Sequence, residues 1–261
     1  MKQYSNAYII GFAAGVCLVC SIVVATSAVV LKERQDRNKV LDRQKKVLIV
    51  AGLMEEGQTI TADEVQQIFD DNIRIQAIDL ETGDFDSDID TVTYDQRKAT
   101  KDPALSRVAP KNRAGIKRVP LKVLIYERVA GDEIELLILP IEGKGLWSTL
   151  YGFLALAPDT TTIEGLTFYE HGETPGLGGE IDNPRWKALW KGRSAYDAEG
   201  KPAITVIKGA AGPAEDDPFR VDGLSGSTLT GRGVSDLVQF WLSDDGFAPF
   251  LAKFRAERSA T

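Results

Sequence analysis

The run VPLKVLIYERVAGDEIELLILP, residues 119–140, decides the architecture. Two segments dense in β-branched and aliphatic residues, Val119–Val129 and Glu133–Pro140, flank Ala130, Gly131 and Asp132, and a short break of this kind reads as a β-hairpin. Downstream, Gly143, Gly145 and Gly152 surround an aromatic cluster of Trp147, Tyr151 and Phe153 that leads into Leu154–Ala157. Thr160–Tyr169 and Ala203–Ile207 read as further strands. A helix starts at Pro184, since proline suits a first helical position, and it carries Trp186, Leu189 and Trp190 inward. Val234, Leu237, Val238 and Trp241 recur at the spacing of one buried helical face. The pattern is α+β, mainly antiparallel strands with helices packed against them.

Upstream of the hairpin the chain changes character. From Asp95 to Arg118 it is basic, holds Pro103 and Pro110, and reads as an irregular insertion or a partner contact. Asp79–Asp90 is acidic. Asp84, Asp86 and Asp88 alternate like the opening of a calcium loop with Asp95 at the closing position, yet Ile89 stands where that loop needs glycine and the closing glutamate is missing. A solvated acidic loop is the expectation. Thr61 and Glu64 form a capping box for a helix with Val65, Ile68 and Phe69 on its apolar side. Before it, Val40, Leu41, Val47, Leu48, Val50 and Ala51 punctuate a charged helix that Gly52 and Gly57 end.

Ala7–Leu31 carries no charge and is long enough to cross the hydrocarbon core as a helix. Ala25, Ser27 and Ala28 leave a cleaved signal peptide as the competing reading, but apolar character continues through Val29, Val30 and Leu31. Gly11 and Gly15 allow a neighbouring helix to approach closely and are equally at home in any membrane helix. The expected organisation is a tail over 1–6, a transmembrane helix over 7–31, a helical and irregular extension over 32–118, and a domain core over 119–261.

With 261 residues and a formal net charge of −7, the chain is too acidic for a general nucleic-acid binder. Its cysteines, Cys17 and Cys20, both lie in the apolar run, and His171 is its single histidine. That leaves no disulfide framework for the globular part and little material for zinc or haem. Lys2 precedes the apolar run, while Lys32, Arg34, Arg37, Lys39, Arg43, Lys45 and Lys46 follow it. The positive-inside rule would therefore leave the globular part in the cytoplasm.

The stretch Asp222–Thr230, Asp-Gly-Leu-Ser-Gly-Ser-Thr-Leu-Thr, opens the helix that carries Val234. Ser225, Ser227 or Thr228 would cap it. The unpaired N–H groups of a helix start favour negative charge, and Gly226 has no side chain to block a phosphate. The same run also reads as an N-cap and nothing more.

Three stretches resemble one family. Asp222–Thr230 is similar to the Ser-Gly-Ala-Thr flavinylation motif, preceded by Asp-Gly, of the FMN-binding subunits in the Na+-translocating NADH:quinone oxidoreductase and its Rnf-type relatives, with Ser227 where the family usually has Ala. Glu173-Thr174-Pro175-Gly176-Leu177-Gly178 resembles the family loop that lies against the flavin. Gly145–Phe153, with its Gly-Leu-Trp-Ser start, is more similar to the sodium-pump subunit than to its Rnf-type counterpart. The resemblance implies an FMN-binding domain in which Thr228 carries FMN through a phosphoester bond, Ser227 and Thr230 being lesser candidates. It also implies Ser225, Gly226, Glu173, Thr174, Gly176 and Gly178 around the cofactor, with Leu177 or Trp147 against the face of its flat ring. Lys208 would neutralise the reduced flavin or the phosphate, or is simply a solvated lysine. His171, close to the second loop, could touch the cofactor or a partner, and reads more readily as a surface or structural histidine.

What the family implies for the whole chain is an electron-carrying subunit, relaying electrons from NADH towards quinone coupled to sodium export. It would not be catalytic alone, since no nucleotide fingerprint or set of membrane spans is present. Its expected partners are the other subunits of a membrane complex, the membrane itself, and a flavin transferase that moves FMN from FAD during maturation. Its expected place is the bacterial inner membrane with the flavin domain periplasmic, against the charge bias. The alternatives are the flavin subunit of an Rnf-type ferredoxin:NAD oxidoreductase, or an anchored binding or assembly protein with no redox role, in which the Ser-Gly-Ser-Thr run merely caps a helix.

Overall fold

The computed structural model describes residues 5–259; Lys2 and most of the expected tail lie outside them. Two compact units, residues 1–43 and 44–261, divide the chain. Helix α1, Asn6–Val50, runs through the first and supplies the opening residues of the second. Its 18-residue window of greatest hydropathy averages 2.5, and among the described residues it is the helix long and apolar enough to cross a membrane.

The second unit begins with the buried Val47, Leu48 and Val50 at the end of α1. Helix α2, Ala62–Asn72, opens on the expected capping box, in which the Thr61 side chain accepts from Glu64 N–H and Glu64 accepts from Thr61 N–H. Strand β1, Ile73–Asp79, follows without a break. Helix α3, Gln96–Lys101, and the short ladder of β2, Ser106–Val108, with β3, Arg118–Pro120, give order to the basic stretch for which the sequence suggests irregular structure. Asp95 caps α3 through Lys98 N–H, which explains its place at the end of the acidic run. Two acids of the 79–90 stretch receive a cation from the protein itself. Lys122 Nζ lies 2.8 Å from Asp79 and 2.7 Å from Asp86.

The hairpin forms as expected from β4, Lys122–Ala130, and β5, Glu133–Lys144, with Ala130 opposite Glu133 and Gly131 at φ +62° in the turn. Strands β6, Thr149–Leu156, and β7, Ile163–Glu170, extend it antiparallel. On its other side β1 pairs with β4 along its whole length, Ile73 opposite Arg128 and Asp79 opposite Lys122. The sheet order is β1-β4-β5-β6-β7. A boundary at residue 119 therefore cuts this sheet between two of its strands, and the compact unit starts at Gln44 instead. The alternation Ile73, Ile75, Ala77 is what carries β1, and its direct junction to α2 leaves no turn residue to announce it.

Beyond β7 come a 3-10 turn, Gly178–Asp182, and helix α4, Pro184–Ala188, with proline at its start and Trp186 and Trp190 buried as expected. Strands β8, Thr205–Val206, and β9, Arg220–Val221, form a parallel pair, shorter than the Ala203–Ile207 strand expected. Helices α5, Thr228–Trp241, and α6, Ala248–Ser259, complete the chain. Val234, Leu237, Val238 and Trp241 of α5 join Leu137, Leu139, Leu154, Phe168, Trp190 and Phe250 in one core. Trp241 Nε1–H donates to the Glu142 carbonyl at 2.7 Å, fixing α5 along β5. On the opposite side of the sheet Phe69, Tyr126 and Phe153 meet edge to face, with centroids 6.3 and 5.5 Å apart. Such pairs add specific geometry to the burial of large apolar surfaces.

Candidate functional site

The start of α5 is shaped by glycine and by an inward-turned serine. Gly226, at φ +70°, takes the left-handed conformation that an L side chain adopts only with strain, and Ser227 N–H then closes a turn on the Leu224 carbonyl at 3.0 Å. Ser227 occupies the N-cap position but makes no side-chain cap. Its hydroxyl donates instead to Thr230 Oγ1 at 3.0 Å, and Thr230 donates to Glu173 Oε2 at 2.6 Å. This corrects the expectation that Ser225, Ser227 or Thr228 caps the helix. An ionised carboxylate is the stronger acceptor, so the relay into Glu173 takes the hydroxyl that would otherwise serve the first turn. Among the described residues the first-turn N–H groups have no side-chain cap, and the helix dipole adds to their pull on an anion.

Glu173 ties the three motifs together. Only 5% exposed, it accepts from the N–H groups of Trp147 at 2.9 Å and of Leu146 and Ser148 at 3.2 Å, in addition to Thr230. Burial alone would raise its pKa. The donations from Thr230 and from the Trp147, Ser148 and Leu146 backbone outweigh burial and hold it below the usual carboxylate range. The close fit demands glycine on either side: a Cβ at Gly145 would stand 2.7 Å from Glu173 Oε1, and one at Gly178 would stand 2.6 Å from Thr230 Oγ1. Both carboxylate oxygens are thus consumed by protein donors. Glu173 supports the frame of the site and does not face outward.

His171 braces this loop from behind. Its Nδ1 accepts from Glu173 N–H at 3.2 Å and its Nε2 meets Asp182 Oδ2 at 2.7 Å, the bond that chiefly raises its pKa. Both ring nitrogens are thus engaged by protein groups, which fits the structural reading of His171. In the loop itself the Thr174 carbonyl accepts from Leu177 and Gly179 N–H, and Gly176 turns the chain at φ +73°.

Around Thr228 the surface changes from polar to apolar. Thr228 is exposed, and its hydroxyl has no hydrogen-bond partner among the described residues. It lies on the rim of a cavity of about 330 Å³ lined by Val206, Ile207, Lys208, Gly209, Gly223 and the Leu224–Gly226 turn. Leu177, 44% exposed, reaches Gly226, where an added Cβ would meet its Cδ2 at 3.0 Å. Trp147 at 72% and Leu229 at 54% are likewise open to solvent, although apolar groups of that size ordinarily seek cover. So Ser225, Gly226, Thr228 and Lys208 line one cavity, with Leu177 touching its turn. Glu173, Ser227 and Gly178 lie beneath it, and Thr174 and Gly176 shape the adjoining loop. Val206, Ile207, Gly209 and Gly223 join the site without any sequence signal, since the end of a two-residue strand and the segments that leave β8 and β9 carry no local sign that they wall a cavity.

An uncapped helix start, a free hydroxyl beside it, a lysine lining the same cavity and exposed apolar side chains on the neighbouring segments suit a cofactor with a phosphate at one end and a flat apolar ring at the other. These features define a flavin-binding protein. Residues 145–243 match the family model described as FMN-binding domain, and that span runs from the Gly-Leu-Trp loop through α5. The chain is 49% identical over 243 residues to the C-subunit of the Na(+)-translocating NADH-quinone reductase of Pseudomonas aeruginosa, covering 92% of each. It is 45% identical over 252 residues to the protein of that name from Vibrio campbellii, covering 94% of each. The crystal structure of Shewanella oneidensis NqrC superposes with a TM-score of 0.75 at 37% identity, over 82% of this chain and 96% of that one. The chain belongs to the family of NqrC-type subunits of the Na+-translocating NADH-quinone reductases. The Rnf-type and non-redox alternatives are set aside accordingly.

Proposed function

We propose that this chain is the flavin-carrying, electron-relaying subunit of a Na+-translocating NADH:quinone reductase, with FMN attached to Thr228 by a phosphoester bond. One observation carries the choice of residue. Of the hydroxyls in the cap and first turn of α5, Ser227 is 5% and Thr230 0% exposed, and both are committed to the relay into Glu173, whereas Thr228 is exposed and unengaged. Ser225 is exposed too, but precedes the Gly226 turn and lies off the helix.

When bound, FMN supplies the redox chemistry, and the protein supplies attachment, orientation and electrostatics. The N–H groups of the first turn of α5 and the Lys208 ammonium hold the phosphate. Leu177 and Trp147 flank the ring. Glu173 keeps the 145–148 loop and α5 in register beneath it. The chain does not catalyse alone; it holds a carrier between partner subunits. A flavin transferase acting on FAD supplies the FMN group during maturation, and Thr228 is its acceptor.

The anchor is a single pass of α1 through the bacterial inner membrane, with the flavin domain on the periplasmic side. The charge bias after the anchor argues the other way; the family resemblance supports the periplasmic side, and labelling intact cells with a membrane-impermeant reagent decides it. For the attachment, Thr228→Ala is expected to give a folded, anchored chain without covalent flavin. The check is flavin fluorescence of the denatured band together with the mass of the peptide that holds residue 228. A denaturation-resistant flavin at wild-type stoichiometry in that variant sinks the assignment.

A further inference from the structure

We infer that Glu173, Thr230 and Ser227 form a hydroxyl lock that silences Ser227 as an acceptor and confines attachment to Thr228. This rests on the covalent reading above and adds to it a rule of site choice within a run crowded with hydroxyls. In the attachment step an Oγ–P bond forms, the pyrophosphate P–O bond of FAD breaks, AMP leaves, and the hydroxyl proton is lost to a base of the transferase or to water. Ser227, a primary alcohol, is less hindered than the secondary alcohol of Thr228 and directly adjoins it in the chain. Chemistry alone therefore favours the wrong residue.

Geometry reverses that preference. The Ser227 hydroxyl points into the protein, donating to Thr230 Oγ1 at 3.0 Å, and Thr230 donates in turn to Glu173 Oε2 at 2.6 Å. Each hydroxyl has a single proton to donate, so one buried carboxylate fixes the direction of both. Glu173 is itself immobilised by the backbone N–H groups of Leu146, Trp147 and Ser148. The lock is therefore anchored in the sheet side of the site and not in the helix it controls. Gly178 leaves the room this requires, since a Cβ there would strike Thr230 Oγ1 and Glu173 Oε2 at 2.6 and 2.8 Å. With Thr230 changed to valine, the shape is kept but Ser227 loses its acceptor. A buried hydroxyl without a partner is costly, and rotation outward, towards the exposed side where Thr228 stands, relieves it.

The test uses the full chain made together with the flavin transferase, with attachment located by mass spectrometry on the tryptic peptide Val221–Arg232. In the wild type the FMN mass is expected on Thr228, and in Thr228→Ala nowhere. In Thr228→Ala combined with Thr230→Val it is expected on Ser227, at least about tenfold above the single variant, the factor that follows from freeing one hydrogen bond of ordinary strength. Serine in place of that valine, Thr230→Ser, restores the acceptor for Ser227 and should restore silence, which a merely space-filling Thr230 would not require. Ser227 labelling in Thr228→Ala alone overturns the lock. So does a folded double variant with no label on Ser227. Should the double variant fail to fold, Thr228→Ala by itself decides: no label upholds the lock, label on Ser227 overturns it. An unlabelled wild type overturns the covalent reading and the lock together, whereas a labelled wild type with either adverse result overturns the lock alone.

Discussion

At Glu173 the two influences on a buried acid oppose each other, and hydrogen bonding wins over burial. A lowered folded pKa means that the ionised form is the stabilised one. Its contribution is present above the unfolded value, about 4.3, and is lost as pH falls through the folded value. His171 has the opposite sign: with its pKa raised by Asp182, its contribution is present below about 6.5 and is lost as pH rises through the folded value. Glu173→Gln should therefore destabilise by about 2 kcal/mol near neutrality, and the deficit should shrink as the medium is acidified below about pH 4. The deficit of His171→Gln should instead shrink towards alkaline pH. Urea midpoints of both variants against the wild type, followed from acid to alkaline pH, check the pair of signs, and a Glu173→Gln deficit that grows in acid contradicts the assignment. At this scale the sequence is only partly readable. The residues of the Glu173–Gly178 loop are recognisable as a motif, but the inward direction of Glu173 is not. A carboxylate that turns inward does so because of donors that arrive from positions 146–148 and 230, far away in the chain.

Helix α5 shows how packing overrides intrinsic preference. Gly231 and Gly233 both sit in its first two turns, where helix propensity alone favours alanine by about 1 kcal/mol. The surroundings differ. A Cβ at Gly233 would stand 2.5 Å from the Lys144 carbonyl oxygen and 3.2 Å from Gly145 Cα, both backbone atoms that cannot turn aside. At Gly231 it would meet only the Val206 side chain, at 3.1 Å. Gly233→Ala is thus expected to cost about 2 kcal/mol or more by forcing α5 off β5, while Gly231→Ala stays within about 1 kcal/mol of the wild type. Thermal transitions of the two variants measure the difference, and equal midpoints would remove close packing as the reason for glycine at 233. The elements themselves are legible wherever local signals agree. The hairpin, the Thr61 box, the proline at the start of α4 and the apolar stripe of α5 form as their residues predict, although Val119 and Pro120 pair with β2 and the hairpin itself opens at Lys122. β1 has no such signal, because a helix runs into it without glycine, proline or asparagine-glycine between. The basic stretch before residue 119 acquires its ladder only when β2 and β3 meet across the intervening residues 109–117, and neither strand is long enough to show a period of its own.

For the molecule as a whole, the decisive question is where the independently folding part begins. A start at Val119 keeps the hairpin and all three flavin-site motifs, yet it removes β1 and with it the full antiparallel pairing to β4. It also removes the buried Val47, Leu48, Ala51, Met54, Val65, Phe69, Ile73, Ala77 and Ile78. At about 1.5 to 3 kcal/mol for each large side chain, that loss is as large as the whole stability of an ordinary domain, about 5 to 15 kcal/mol. A start at Gln44 sacrifices none of these, because residues 7–31 of α1 are exposed throughout and the compact unit opens at Gln44. The chain 44–261 is therefore expected to be soluble without detergent and to unfold in one cooperative transition, and the chain 119–261 to lack such a transition. Calorimetry of the two distinguishes them. A cooperative transition in 119–261 matching that of 44–261 would mean that the hairpin, α5 and α6 suffice, and that β1 and the end of α1 merely cover a core already complete. Failure of 44–261 with success only of the full chain would mean that the membrane segment contributes to folding. The core arrangement argues for the expected pattern, since the opposite side of the sheet, where Phe69, Tyr126 and Phe153 stack edge to face, has its cover in residues 44–72.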